Sequence, residues 1–251
     1  MRGPHVPAIV RDAAASRRRE ILAWQVALAD GPAIEALVFD AYGTLFNLTS
    51  LETACRSLMP EPAAFVALWR AKQLEYSWLR ALMRHYADFA QVTRDALEYT
   101  LAHFAITVDD ATVQALLTAW LTLDTYPEVT ELLSRLRGLP LAILSNGSPA
   151  MLTAALGHGA ITDAFTALLS ADSARTYKPD PRVYALAPAA LKLPADRIIF
   201  VSANAWDAVG AKEYGFRVAW LNRANQAREA HGAAPDLEIR TLADLAEALR
   251  R

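Results

Sequence analysis

Asp40 closes the apolar run Ala36-Leu-Val-Phe39 and is followed by Ala41-Tyr42-Gly43-Thr44-Leu45. An aspartate there either caps a turn or acts as a carboxylate nucleophile. The Gly-Thr pair adds a tight turn and a hydroxyl, which tilts the balance toward chemistry. Other apolar runs end in polar groups too: 139–145 in Ser145-Asn146, 164–170 in Ser170, and 197–202 in Ser202-Ala203-Asn204. Polar groups arriving from separate chain segments are the expected form of an active site, provided the fold brings those ends together.

The fold that would do so is legible. Near-continuous apolar runs suit strands covered on both faces of a parallel sheet. With 216–221 there are five such runs, separated by helical patterns at 128–137, 149–156, 181–191, 206–214 and 242–249. This alternation predicts a doubly wound α/β fold, in which ligands bind beyond the carboxyl ends of the strands. Between Phe46 and Pro127 the alternation stops: 61–84, 88–104 and 109–123 read as helices, and no strand is expected. The predicted organisation is a core from 36–46 and 127–251, a helical cap at 47–126 and an N-terminal extension at 1–35. Within that extension 1–7 reads as irregular chain. Arg17-Arg18-Arg19 and the apolar residues after it read as a solvated helical extension, chain upstream of a natural start, or an Arg-rich targeting segment, with Asp30-Gly31-Pro32 as the stop.

Composition narrows the function classes. The 251 residues are 54% hydrophobic and carry a net charge of -2, which argues against a nucleic-acid binder relying on a broad basic field. No apolar stretch approaches the roughly 20 residues that span a bilayer. Cys55 is the single cysteine, which fits a reducing, cytoplasmic setting and reads as a small buried hydrophobe. His5, His85, His103, His158 and His231 show no metal-ligand spacing.

Four ordered segments carry a resemblance: Phe39-Asp-Ala-Tyr-Gly-Thr-Leu45, Leu144-Ser-Asn-Gly-Ser-Pro149, Tyr177-Lys-Pro-Asp-Pro-Arg-Val-Tyr184 and Val201-Ser-Ala-Asn-Ala-Trp-Asp207. They resemble the motifs of the haloacid dehalogenase superfamily. With Leu68-Trp-Arg-Ala-Lys-Gln-Leu-Glu-Tyr-Ser-Trp-Leu-Arg80 they are most similar to its L-2-haloacid dehalogenases. The superfamily's phosphatases use Asp-x-Asp and bind Mg²⁺ through carboxylates in the fourth motif. Here Tyr42, with an ordinary pKa near ~10, replaces the acid, and Ser202 stands where a carboxylate is needed, with Asp207 further on. Both departures suit a leaving group that needs no proton, such as halide. The alternatives are a Mg²⁺-dependent phosphatase, a hydrolase opening another activated C2 bond, and an inactive capped binding protein. Intact Asp40, Arg70 and Lys178 argue against the last.

The resemblance implies hydrolysis of short L-2-haloalkanoates through an aspartyl ester, with no metal and no cofactor. It implies Asp40 as nucleophile, Thr44 as its hydrogen-bond donor, Arg70 as halide acceptor and Lys178 as the cation beside Asp40. Ser145 and Asn146 would contact the substrate carboxylate and halide side. Tyr184, Ser202, Asn204 and Asp207 would order the nucleophile, Lys178 and the hydrolytic water. Ala41, Tyr42, Leu74, Phe89 and Trp206 would bind the substrate, the last four as an apolar pocket, and Trp69 and Tyr76 would flank Arg70. Ala71 and Ala203 depart from relatives that carry polar residues, and the first bears on chain-length preference. A homodimer supported by the apolar cap helices is also implied.

Overall fold

The protein is described by a computed structural model covering residues 8–136 and 138–250; the irregular stretch expected at 1–7, with His5, lies outside the described residues. Six parallel strands form one sheet: β1 (Ala36–Phe39), β2 (Leu141–Ser145), β3 (Ala167–Ser170), β4 (Ile198–Ser202), β5 (Arg217–Leu221) and β6 (Leu237–Ile239), in the order β3-β2-β1-β4-β5-β6. β1, β2 and β4 are buried throughout, as their unbroken apolar sequences require. The helices are α1 (Ala8–Ala29), α2 (Ser50–Cys55), α3 (Pro62–Met83), α4 (Phe89–His103), α5 (Asp110–Ala119), α6 (Val129–Arg135), α7 (Pro149–His158), α8 (Pro181–Tyr184), α9 (Leu186–Leu191), α10 (Ala205–Tyr214) and α11 (Leu242–Ala248).

The order places β1 between β2 and β4, so the chain winds outward in both directions from β1. That is the topological switch point at which an open α/β sheet leaves a crevice. Register completes the alignment. Phe39 pairs with both Ile143 and Val201, so the chain leaves β1, β2 and β4 at one edge, beside Asp40, Ser145-Asn146 and Ser202.

Between β1 and α6 the regular elements of the described chain are all helices, apart from isolated bridges, and no strand is present among the described residues, as expected. Asp88 and Asp109 cap α4 and α5, accepting from the Gln91 and Thr112 amides. The segment leaves and rejoins the sheet layer through two adjacent strands of chain. These are pinned by the Asn47 N–H donating to the Asp124 carbonyl (2.8 Å) and the Tyr126 N–H to the Leu45 carbonyl (3.0 Å).

Several expectations need correction. β6 was not expected: three residues, Leu-Glu-Ile, are too short to read as an apolar run. α2 also escaped notice. The helical pattern at 181–191 is two helices, because Pro188 has no N–H to give to residue 184. The N-terminal extension is not wholly solvated. Ile21 and Trp24, three apart on α1, are buried, and α1 packs on α11 and β6, covering the sheet's last strand. Asp30-Gly31-Pro32 does follow the end of α1. Among the described residues no helix is long and apolar enough to cross a membrane.

Candidate active site

The floor of the site is a set of interlocked charges. Asp40 sits one residue beyond β1 and is 6% exposed. Its Oδ2 accepts from the Thr44 hydroxyl (3.0 Å) and from Asn204 Nδ2 (2.8 Å). The Thr44 oxygen in turn accepts from the Ala203 N–H at 2.8 Å, so its proton is directed at the carboxylate. Asp40 Oδ1 has one partner among the described residues, the Lys178 ammonium at 3.2 Å. The turn that swings Thr44 back is closed by the Gly43 N–H donating to the Phe46 carbonyl, and Gly43 has φ +85°, the left-handed region that favours glycine.

Lys178 is 1% exposed and bridges two carboxylates: Asp40, and Asp207 Oδ2 at 2.9 Å. A buried ammonium is costly unless paired, and here the pairing is supplemented by the Phe200 ring 4.8 Å away. The lysine's backbone is fixed as well. Its N–H donates to Asn146 Oδ1 (2.9 Å), its carbonyl accepts from Trp78 Nε1 (3.1 Å), and the Lys178–Pro179 peptide is cis. Asp207 is fully buried in the first turn of α10 and accepts from the Tyr184 hydroxyl at 2.8 Å. Burial and the neighbouring Asp40 charge hold its carboxyl above the usual carboxylate range, against the pull of Lys178 and Tyr184.

The remaining strand ends shape turns. Ser145 Oγ accepts from the Gly147 N–H (3.2 Å) and Ser202 Oγ from the Asn204 N–H (3.1 Å). Ser170, noted as a strand end but assigned no role, donates to the Gly147 carbonyl at 2.7 Å. Gly147 is required by crowding, since a Cβ there would lie 2.8 Å from the Tyr42 ring.

Over this floor lies an aromatic and cationic roof. The Tyr42 ring packs against Phe89 (6.4 Å between centroids) and Trp120 (5.6 Å). The Arg70 guanidinium lies 5.9 Å from the Trp120 ring centre. Burial lowers the Arg70 pKa, while Asp40, Tyr42 and Asp207 pull it back up, so the guanidinium is within electrostatic reach of the floor. Burial pushes the Tyr42 phenol far above its ordinary value, so Tyr42 is neutral at any working pH. The Tyr42 hydroxyl and Trp120 Nε1 are buried with no hydrogen-bond partner among the described residues. Leu74, half-buried, shares the helical face of Arg70 one turn on.

Some expected neighbours go elsewhere. Tyr76 packs against Tyr99 and Lys72, not Arg70, because six residues along a helix turn to a different face. Trp206 sets its ring edge-on to Trp78 (5.3 Å) and lines a groove of about 920 Å³ with Tyr177 and Pro179, at the rim of the site. Ala71 is exposed, next to Arg70 on α3. Ala203 contributes its backbone N–H, which alanine supplies as well as serine.

Three contributors were missed. Arg223 donates to the Gly43 and Thr44 carbonyls (both 3.0 Å) while paired with Glu128 and stacked on Tyr126, clamping the nucleophile's turn from the sheet's other half. Nothing local marks it, since it lies far from Asp40 in sequence. Trp120 closes the aromatic cluster. Gln73, one turn from Arg70, accepts from its guanidinium; the signal available was a polar residue within the helix expected at 61–84.

A model of the haloacid dehalogenase-like hydrolases matches residues 34–215. An (S)-2-haloacid dehalogenase of Pseudomonas sp. strain YL is 46% identical over 217 residues, 85% of this chain and 94% of that one. The (S)-2-haloacid dehalogenase H-109 of Pseudomonas putida is 43% identical over 217 residues, 85% of this chain and 97% of that one. Among solved structures, the L-2-haloacid dehalogenase of Xanthobacter autotrophicus with chloropropionic acid covalently bound superposes with a TM-score of 0.82 at 39% identity, covering 85% of this chain and 97% of that chain.

Proposed function

For a chain that belongs to the haloacid dehalogenase-like hydrolases, we propose hydrolytic dehalogenation of short L-2-haloalkanoates to D-2-hydroxyalkanoates. The observation that carries this reading is the unequal dressing of the Asp40 carboxylate: two donors on Oδ2 and the Lys178 ammonium alone on Oδ1. Oδ1 keeps a lone pair for attack. It displaces halide from C2 with inversion, the C2–halogen electron pair leaving with the halide, and Oδ1 becomes the ester oxygen. Oδ2 becomes the ester carbonyl oxygen, already held by Thr44 and Asn204. When water adds to the Asp40 carbonyl carbon, those two donors face the developing oxyanion. Collapse expels the 2-hydroxy acid, with one water proton going to its oxygen and the other to a base, and restores the carboxylate.

Asp207 suits the base, since its raised proton affinity favours accepting that proton. Lys178 has a third N–H for the substrate carboxylate, joined by Ser145 and by the Ala41 and Tyr42 amides, which donate to no other described residue. Arg70 receives the halide, with the Asn146 amide beside it, while Tyr42, Phe89 and Leu74 exclude water. Tyr184 orients Asp207, and Ser202 fixes the Asn204 turn. The phosphatase alternative lacks both its acid, replaced by Tyr42, whose buried phenol gives up its proton less readily than a free one, and a carboxylate at Ser202. No metal or cofactor enters this scheme.

The division into a 36–46 plus 127–251 core and a 47–126 cap is supported by the pinned crossing at Asn47–Asp124 and Leu45–Tyr126. A homodimer is supported by Leu79, Leu82 and Met83 at the exposed end of α3, Leu82 being 80% exposed. A cytoplasmic location is supported by the single unpaired cysteine, Cys55, whose burial raises its pKa to about 11 and leaves it an unreactive thiol. The deciding assay is halide release from L-2-chloropropionate in EDTA. Release that is lost in Asp40→Asn and absent with the D-isomer is expected; phosphate release from a generic ester with Mg²⁺, and no halide, would overturn the reading.

A further inference from the structure

Gln73 is completely buried between α3 and α4, where an amide needs partners on both ends. It has them: Arg70 Nη1 donates to Gln73 Oε1 (2.5 Å), and Gln73 Nε2 donates to Thr93 Oγ1 (2.6 Å). The Thr93 hydroxyl donates to the Phe89 carbonyl at 2.6 Å. The direction of this chain is fixed from its far end. A backbone carbonyl can only accept, so the Thr93 proton points to Phe89 and its oxygen must accept from Gln73. The Gln73 amide is thereby oriented with its carbonyl toward the guanidinium. Thr93 is itself latched, its carbonyl accepting from Trp69 Nε1 at 2.8 Å.

An arginine withdrawn from solvent is ordinarily paired with a carboxylate, and Arg70 is half-buried. Here its hydrogen-bond acceptor among the described residues is neutral, which fixes one N–H and leaves the guanidinium without an ion-pair partner, Asp40 and Asp207 acting on it only at longer range. We propose that Gln73, oriented by Thr93, is a positioning residue that aims Arg70 at the departing halide and preserves its charge for that anion. The inference rests on Arg70 being the halide acceptor in the function proposed above.

The test is single-turnover halide release from L-2-chloro- and L-2-bromopropionate, together with product inhibition by chloride. Gln73→Glu keeps the size and places a negative charge on Arg70. Chloride release should slow about tenfold or more, bromide release by less because bromide is the better leaving group, and chloride inhibition should weaken in step. Thr93→Val removes the orienting hydroxyl and should shift the chloride-to-bromide ratio the same way, about threefold or more. Thr93→Ser, which restores the hydroxyl, should return the wild-type ratio. A packing role alone would leave that ratio unmoved in every folded variant, and this result would overturn the proposal. The Thr93 pair keeps it testable should Gln73→Glu fail to fold. Absence of halide release from the wild type would instead overturn the dehalogenase reading itself.

Discussion

The floor and the roof of the site hold charge in opposite ways. On the floor Asp40, Lys178 and Asp207 form a carboxylate–ammonium–carboxylate chain in which each charge answers another. On the roof Arg70 is held by an uncharged amide over the Trp120 ring, with no carboxylate within ion-pair distance among the described residues. A compensated cluster suits a group that must stay ionised and be regenerated each turnover. A cation without an ion-pair partner suits an anion that arrives, is held and leaves. The two halves of the proposed reaction divide along the same line: ester hydrolysis on the floor, halide departure under the roof.

The comparison breaks most completely at Asp40. Asp40→Asn keeps the side chain's size and shape but removes the nucleophile, and halide release should fall about ten-thousand-fold or more, measured with the fold verified by circular dichroism. Lys178→Met attacks the floor's compensation. With the ammonium gone, two buried carboxylates face each other, and stability at neutral pH should drop by about 3–5 kcal/mol in denaturant unfolding. Because the mutant's folded-state carboxylates then bind protons more tightly than the unfolded chain does, stability should recover as pH falls. No such recovery is expected of a roof variant.

A subtler change separates the floor's two carboxylates. Asp207 is held above the usual carboxylate range, so kcat should decline on the acid side as Asp207 takes up a proton, at a pH above that range. Tyr184→Phe removes a donor to the ionised form and should move that limb to still higher pH. Arg223→Ala, which frees the Gly43 and Thr44 carbonyls from their clamp, should cost about 1–3 kcal/mol in thermal or denaturant unfolding. The smallest effect is expected at Ala71. Ala71→Gln restores a polar residue at an exposed position and should leave both stability, within about 0.5 kcal/mol, and the preference for short substrates unchanged.

The floor was legible in the sequence because parallel strands announce themselves as apolar runs, and the residue after each run is where ligands bind. Asp40, Ser145 and Ser202 could therefore be placed at strand ends from pattern alone, and Lys178 and Asp207 from the resemblance that the third and fourth motifs carry. Arg223 could not, because it reaches the nucleophile's turn from beyond β5, across a sheet order that only the fold defines. The roof was half legible. The resemblance pointed to Arg70 and Leu74 on the helix expected at 61–84, but which aromatic Arg70 meets depends on how α3, α4 and α5 pack. Tyr76 was therefore assigned to Arg70 when Trp120 holds that place. β6 was missed because three residues make no period.

Oxygen tracing tests the division between floor and roof most directly. In H₂¹⁸O with enzyme in excess over L-2-chloropropionate, one turnover should place ¹⁸O in the Asp40 carboxylate and none in the lactate, since water attacks the ester carbonyl held by Thr44 and Asn204. ¹⁸O in the lactate with Asp40 unlabelled would mean that water attacks C2 directly, and the account of Asp40 as nucleophile would be wrong.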